Sequence, residues 1–138
     1  MERLQALAEY LSEEHKEKID ISEISFENNQ PNYFEYGNEE YLVLEDEQAD
    51  QMAKDYILET VWAFNSSFLS AHTDGIDEEI FDLLKDKCET ANEPILRMIK
   101  DKDHFVDDAI SSDGRAHFIS TYDGQENQYG EYYIYRTN

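Results

Sequence analysis

An α+β fold, with several amphipathic helices packed on a small antiparallel sheet made of two hairpins, is predicted by three observations. Apolar residues recur at helical spacing through the middle of the chain, an alternating segment turns at Gly37-Asn38, and a tyrosine-rich tail turns around Gly124 and Gly130. The length of 138 residues suits one domain, 1–138, and neither an internal repeat nor a long linker divides it.

Leu4, Leu7, Ala8 and Leu11, backed by Glu9, Glu13, Glu14 and Glu17, predict a first helix. Ile19, Ile21, Ile24 and Phe26 nearly alternate, which predicts a bulged strand ending in the punctuation of residues 28–32. Residues 33–36 and 41–44 flank Gly37-Asn38, a pair that tolerates positive φ, and form a hairpin. Asp46 is placed to cap a long helix whose stripe runs from Ala49 and Met52 to Val61 and Phe64. A short turn carries Phe68 and Leu69, and residues 72–75 form a loop. Ile76, Ile80, Leu83, Leu84 and Cys88 define a further amphipathic helix, with Cys88 as a buried thiol on its apolar face. Asn92 is expected to cap a helix with Pro94 in its first turn, running through Ile99. Residues 104–112 form a last short helix stopped by Asp113-Gly114, and residues 116–121 pair with 131–136 as the second hairpin.

Charge narrows the function. The chain has 33 Asp and Glu against 11 Lys and Arg, a formal net charge of -22. Disorder is not implied, because 40% hydrophobic residues, with ten Tyr and seven Phe, can build a core. Such a protein repels nucleic acid and anionic lipid alike, and its expected partner is basic. One cysteine fits a reducing compartment, the cytoplasm. No apolar run approaches the roughly 20 residues of a membrane span, and residues 1–18 read as an acidic amphipathic stretch rather than a signal peptide.

The predicted helices turn their acids outward. Glu47, Asp50, Asp55 and Glu59 lie off the apolar stripe of the longest helix, and Asp77, Glu78, Asp82 and Asp86 crowd another. Repeated like charges at i, i+4 cost a few tenths of a kcal/mol per pair. A compact chain of this length is about 37 Å across, and about 37 Å of duplex DNA also carries about 22 charges. The eight helix-face acids are the candidate partner-binding residues, joined by Tyr132 and Tyr133 of the tail, since tyrosine is enriched at interfaces. A symmetric homodimer would double the acidic surface.

Catalytic chemistry finds little support. His15, His72, His104 and His117 stand in no zinc-site spacing, and no nucleophile elbow, phosphate loop or dinucleotide fingerprint is present. The nearest approach to a site is His104 with Asp107 and Asp108 at i+3 and i+4; a pH-sensitive histidine among carboxylates is the plainer reading, so no catalytic residue, cofactor or metal is expected.

The stretch from Phe105-Val106-Asp107-Asp108-Ala109-Ile110 through Asp113-Gly114-Arg115-Ala116-His117-Phe118, followed by Thr121-Tyr122-Asp123-Gly124 and Tyr132-Tyr133-Ile134-Tyr135-Arg136, resembles small acidic accessory proteins of bacteriophages and mobile elements. Residues 41–69 share the likeness, so it covers over half the chain. The resemblance implies a phage context in which acidic proteins act as anti-CRISPR or anti-restriction inhibitors by DNA mimicry, evading host defence. The expected function is therefore inhibition of a host nuclease at its nucleic-acid-binding site. An immunity or regulatory protein for a basic toxin or enzyme is the alternative, and a metal-dependent enzyme is the third.

Overall fold

A computed structural model describes residues 2–138. The fold is α+β, with a five-stranded antiparallel sheet of order β1-β2-β3-β5-β4. The chain parts into two compact units, residues 1–53 with 115–138, and residues 54–114.

In the first unit, α1 (Arg3–His15) lays Leu7, Tyr10 and Leu11 against the sheet. It ends in a left-handed Lys16, with φ 56°. The sheet comprises β1 (Ser25–Glu27), β2 (Gln30–Tyr36), β3 (Glu39–Glu45), β4 (Asn127–Tyr129) and β5 (Tyr132–Arg136). Gly37, at φ 60°, makes the β2–β3 turn. In the β3–β5 ladder Val43 faces Ile134 and Leu44 faces Tyr133. Alternation puts Tyr41, Val43, Tyr132 and Ile134 into the core shared with α1, while Leu44 and Tyr135 are buried on the opposite face.

The second unit is helical. It takes the later turns of α2 (Asp46–Glu59), followed by α3 (Ser66–Ala71), α4 (Glu78–Lys85), α5 (Asn92–Met98) and α6 (Lys102–Asp113). Ile57, Val61, Leu69, Phe81, Ile95 and Phe105 are fully buried. Phe64 and Phe68 both pack on Phe105 with ring centroids 5.1 Å apart.

Several local expectations are corrected. The strand expected over 19–26 shrinks to β1, because Asp20 and Glu23 form a reciprocal capping box around a 3-10 turn, Ile21–Glu23. The expected bulge does not fall within 19–26; the β1–β2 register instead shifts between Phe26 and Glu27, where β2 carries the extra residues. Helix α2 stops at Glu59 rather than reaching Phe64. There the Thr60 hydroxyl donates to the Tyr56 carbonyl at 2.7 Å, and Val61–Ala63 tightens into a 3-10 turn. Cys88 is not a buried helical thiol: α4 has already ended, and Cys88 is exposed with φ 52°. Asn92 does not cap α5. Its side chain accepts from the Trp62 N–H at 3.3 Å and donates to the Leu58 carbonyl at 2.9 Å, tying the helix start to the end of α2. The strand expected over 116–121 is instead α7 (Arg115–Ile119), and the tail hairpin is built from β4 and β5.

Candidate functional site

Helix α4 concentrates negative charge, only part of which serves its own stability. Glu78 and Glu79 in its first turn favour the helix, since they face the positive end of its dipole. Asp86, the C-cap residue, stands at the negative end, where it opposes the dipole. Asp77, Glu78, Glu79, Asp82 and Asp86, less Lys85, give four net charges over a rise of about 14 Å. That is one per about 3.4 Å, the axial charge density of a single nucleic-acid strand.

Apolar side chains lie within the same surface. Phe81 anchors α4 in the core, but Leu83 is 68% exposed and Ile80 43%. Leu83 sits one turn from Glu79 and Asp86, so an aliphatic contact is bordered by carboxylates.

Two of the unit's six cations, Lys85 and Lys87, stand at the end of α4, and the other four gather elsewhere. Lys54, Arg97, Lys100 and Lys102 line a concavity of about 650 Å³. Lys54 there pairs with Asp103 at 3.0 Å and Lys100 with Asp74 at 3.3 Å.

The ten sequence-predicted contact residues separate into three groups. Glu47, Glu59, Asp77, Glu78 and Asp86 are exposed and make no ion pair among the described residues. Asp50, Asp55 and Asp82 are also exposed, but each has a partner: Asp50 is bound by Arg115 at 2.8 Å, Asp82 accepts from the Ser66 hydroxyl, and Asp55 is engaged as well. The tyrosines are covered to different degrees. Tyr132 is only 7% exposed within the core against α1, and Tyr133 lies half-buried beneath the Arg115 guanidinium, 4.6 Å from ring centroid to Cζ.

Arg115 is the cation that organises the first unit's acids. Its Nη1 meets Asp46 at 2.7 Å and Asp50 at 2.8 Å, and its Nε meets Glu126 at 2.7 Å. Burial opposes its charge, yet the bonds to Glu126, Asp50 and Asp46 hold its proton more tightly than usual. Glu126 also accepts from the Tyr135 hydroxyl.

Two histidines meet a shared carboxylate on the second unit. His72, at the end of α3, places Nε2 3.0 Å from Asp108 Oδ2, and His104 places Nε2 3.6 Å from the same oxygen. His72 is 8% exposed and packs on Phe68 and Phe105 with ring centroids 5.0 Å away. The pairing of His104 with Asp108 is legible as i, i+4 spacing. His72 is 32 positions before His104 in a loop, and nothing local in the sequence joins them. Asp107, the other acid considered beside His104, is not among the three converging groups.

No helix among the described residues is long and apolar enough to cross a membrane. Compared with protein-family models, curated proteins and solved structures, the chain matches none.

Proposed function

We propose that this protein is an acidic inhibitor that occupies the basic nucleic-acid-binding site of a host defence nuclease, of the anti-CRISPR or anti-restriction kind, in the host cytoplasm. The observation that carries the reading is α4: strand-like charge density together with Ile80 and Leu83 exposed among the acids. Carboxylates at that density compete for cations that otherwise hold phosphates, and counterion release favours the exchange. Ile80 and Leu83 add contacts that a phosphate backbone lacks, which separates a protein inhibitor from a mere polyanion. The net charge of -22 supplies long-range attraction to a basic partner and speeds encounter.

The protein acts by binding, without catalysis or cofactor. Immobilised protein should capture a DNA-binding enzyme from host lysate at low salt, and excess duplex DNA should elute it. Capture of a basic toxin encoded beside this chain, indifferent to duplex DNA, would replace this reading with that of an immunity protein.

A further inference from the structure

We propose that His72, His104 and Asp108 form a binding site for a divalent cation of the zinc class. Their ligand atoms all lie within 4.8 Å of one another. A tetrahedral zinc ion with bonds of about 2.0–2.1 Å sets its ligand atoms about 3.3–3.4 Å apart. The two distances to Asp108 Oδ2, 3.0 and 3.6 Å, bracket that edge. The third edge, between the two imidazoles, is at most 4.8 Å, so the His104 ring has to turn to close it, and with a side chain 65% exposed it has room to do so.

The donor chemistry selects the ion. Two imidazole nitrogens and one carboxylate suit Zn²⁺, Co²⁺ or Ni²⁺, whereas Ca²⁺ and Mg²⁺ demand mainly oxygen. This separates the cluster from the many carboxylate groupings on so acidic a surface, which attract cations without discriminating among them.

The backbone holds the donors in place. The His72 carbonyl accepts from the Lys100 N–H at 2.9 Å, bringing the end of α3 to the approach to α6. The loop after His72 is closed by Ser70 Oγ donating to the Ile76 carbonyl at 2.6 Å and Thr73 Oγ1 donating to the Ser70 carbonyl at 2.9 Å. On the other side, Asp101 caps α6 by accepting from the His104 N–H at 3.1 Å, and one helical turn then aligns His104 with Asp108. The phenylalanines around His72 provide an apolar wall on one side, and His104 and Asp108 are the solvent-exposed members of the cluster. Three protein ligands leave a fourth position for a water molecule. The ion would clip the end of α3 to α6, and its affinity is independent of any nuclease partner.

The test is titration of the purified, metal-stripped protein with Zn²⁺ by calorimetry, and with Co²⁺ followed by its visible absorption. Expected are one tight site per chain, a tetrahedral Co²⁺ spectrum abolished by Zn²⁺, and a melting temperature raised by Zn²⁺. His104→Ala and Asp108→Ala alter exposed or half-exposed positions; because Asp108 also partners the buried His72, the circular dichroism of each variant is matched to the native protein first. Each should weaken Zn²⁺ binding by more than about tenfold, because outer-sphere partners alone cost about ten- to a hundredfold. Asp113→Asn removes a charge from the same helix away from the cluster and should leave the affinity unchanged. Absence of a stoichiometric site would overturn the proposal. So would affinity that survives both His104→Ala and Asp108→Ala, or that falls equally in Asp113→Asn.

Discussion

Arg115 gathers three carboxylates, Asp46, Asp50 and Glu126, that would otherwise repel one another, and its guanidinium covers the ring of Tyr133. The acids are partly solvated while the arginine side chain is only 13% exposed, so the cluster lies between a surface pair and a buried one. Arg115→Ala should cost about 2 kcal/mol in urea unfolding, through lost charge-assisted bonds and released repulsion. Arg115→Lys should recover less than half of it, since a lysine cannot reproduce the fork. A loss below about 0.5 kcal/mol would show the cluster to be solvated and dispensable.

The tyrosines set the alkaline limit of stability. Burial, then the charges of Glu14 and Asp123, pushes Tyr10 up to about 12 from an ordinary 10.0. Tyr129 is raised to about 12 by burial and by its bond to Glu13. Tyr41 and Tyr135 are raised too, by burial and by bonds to Glu39 and Glu126. The fold thus favours the protonated phenol. The stability this contributes is whole below pH about 10 and is lost as pH rises through about 12. The urea midpoint should fall across that interval, and a constant midpoint would contradict these burials. Cys88, by contrast, should react with a maleimide in the native state as completely as in denaturant, because it is exposed.

Among the elements, those defined by sustained periodicity or strong turn chemistry were legible in the sequence: α1, the β2–β3 hairpin, most of α2, and α6 with its stop at Gly114. Gly37 shows why the hairpin was readable. At φ 60°, with nothing within 4 Å of an added Cβ, Gly37→Ala meets only backbone strain, and should cost about 1 kcal/mol measured by denaturant unfolding. The short elements were misread where two patterns fit the same residues. Phe118 and Ile119 suit a strand or one turn of helix, and a five-residue helix is too brief for its period to decide. The apolar spacing from Ile76 to Cys88 reads as one helix, but the chain leaves that helix at Lys85, and the stripe's continuation is coincidental. The capping box of Asp20 and Glu23 was visible and would have removed the long first strand.

The candidate surface was legible in the same uneven way. Outward placement of the acids follows from the stripe opposite them, and all eight are exposed. What spacing alone does not give is pairing over distance, such as Arg115 with Asp50, 65 positions apart, or His72 with Asp108. It also cannot tell which tyrosine face is core, because β5 is covered on both faces and alternation loses its meaning there.

At the scale of the molecule, acidity belongs to both compact units. Eighteen Asp and Glu stand against five Lys and Arg in the first and 15 against six in the second, so both units carry a strong negative excess. The specific part of the claim is narrower, namely that α4 leads the contact. The most direct measurement compares two immobilised baits in the same host lysate: the native protein, and a variant with Asp77, Glu78, Glu79 and Asp86 replaced by lysine. All four are exposed, but lysines at 77–79 oppose the dipole of α4, so the comparison is made only on a variant whose circular dichroism matches the native protein. The account predicts that the native bait captures a nucleic-acid enzyme, releases it by about 0.5 M salt or with duplex DNA, and that the variant captures at least about tenfold less. Equal capture by both baits, unaffected by salt and DNA, would contradict it.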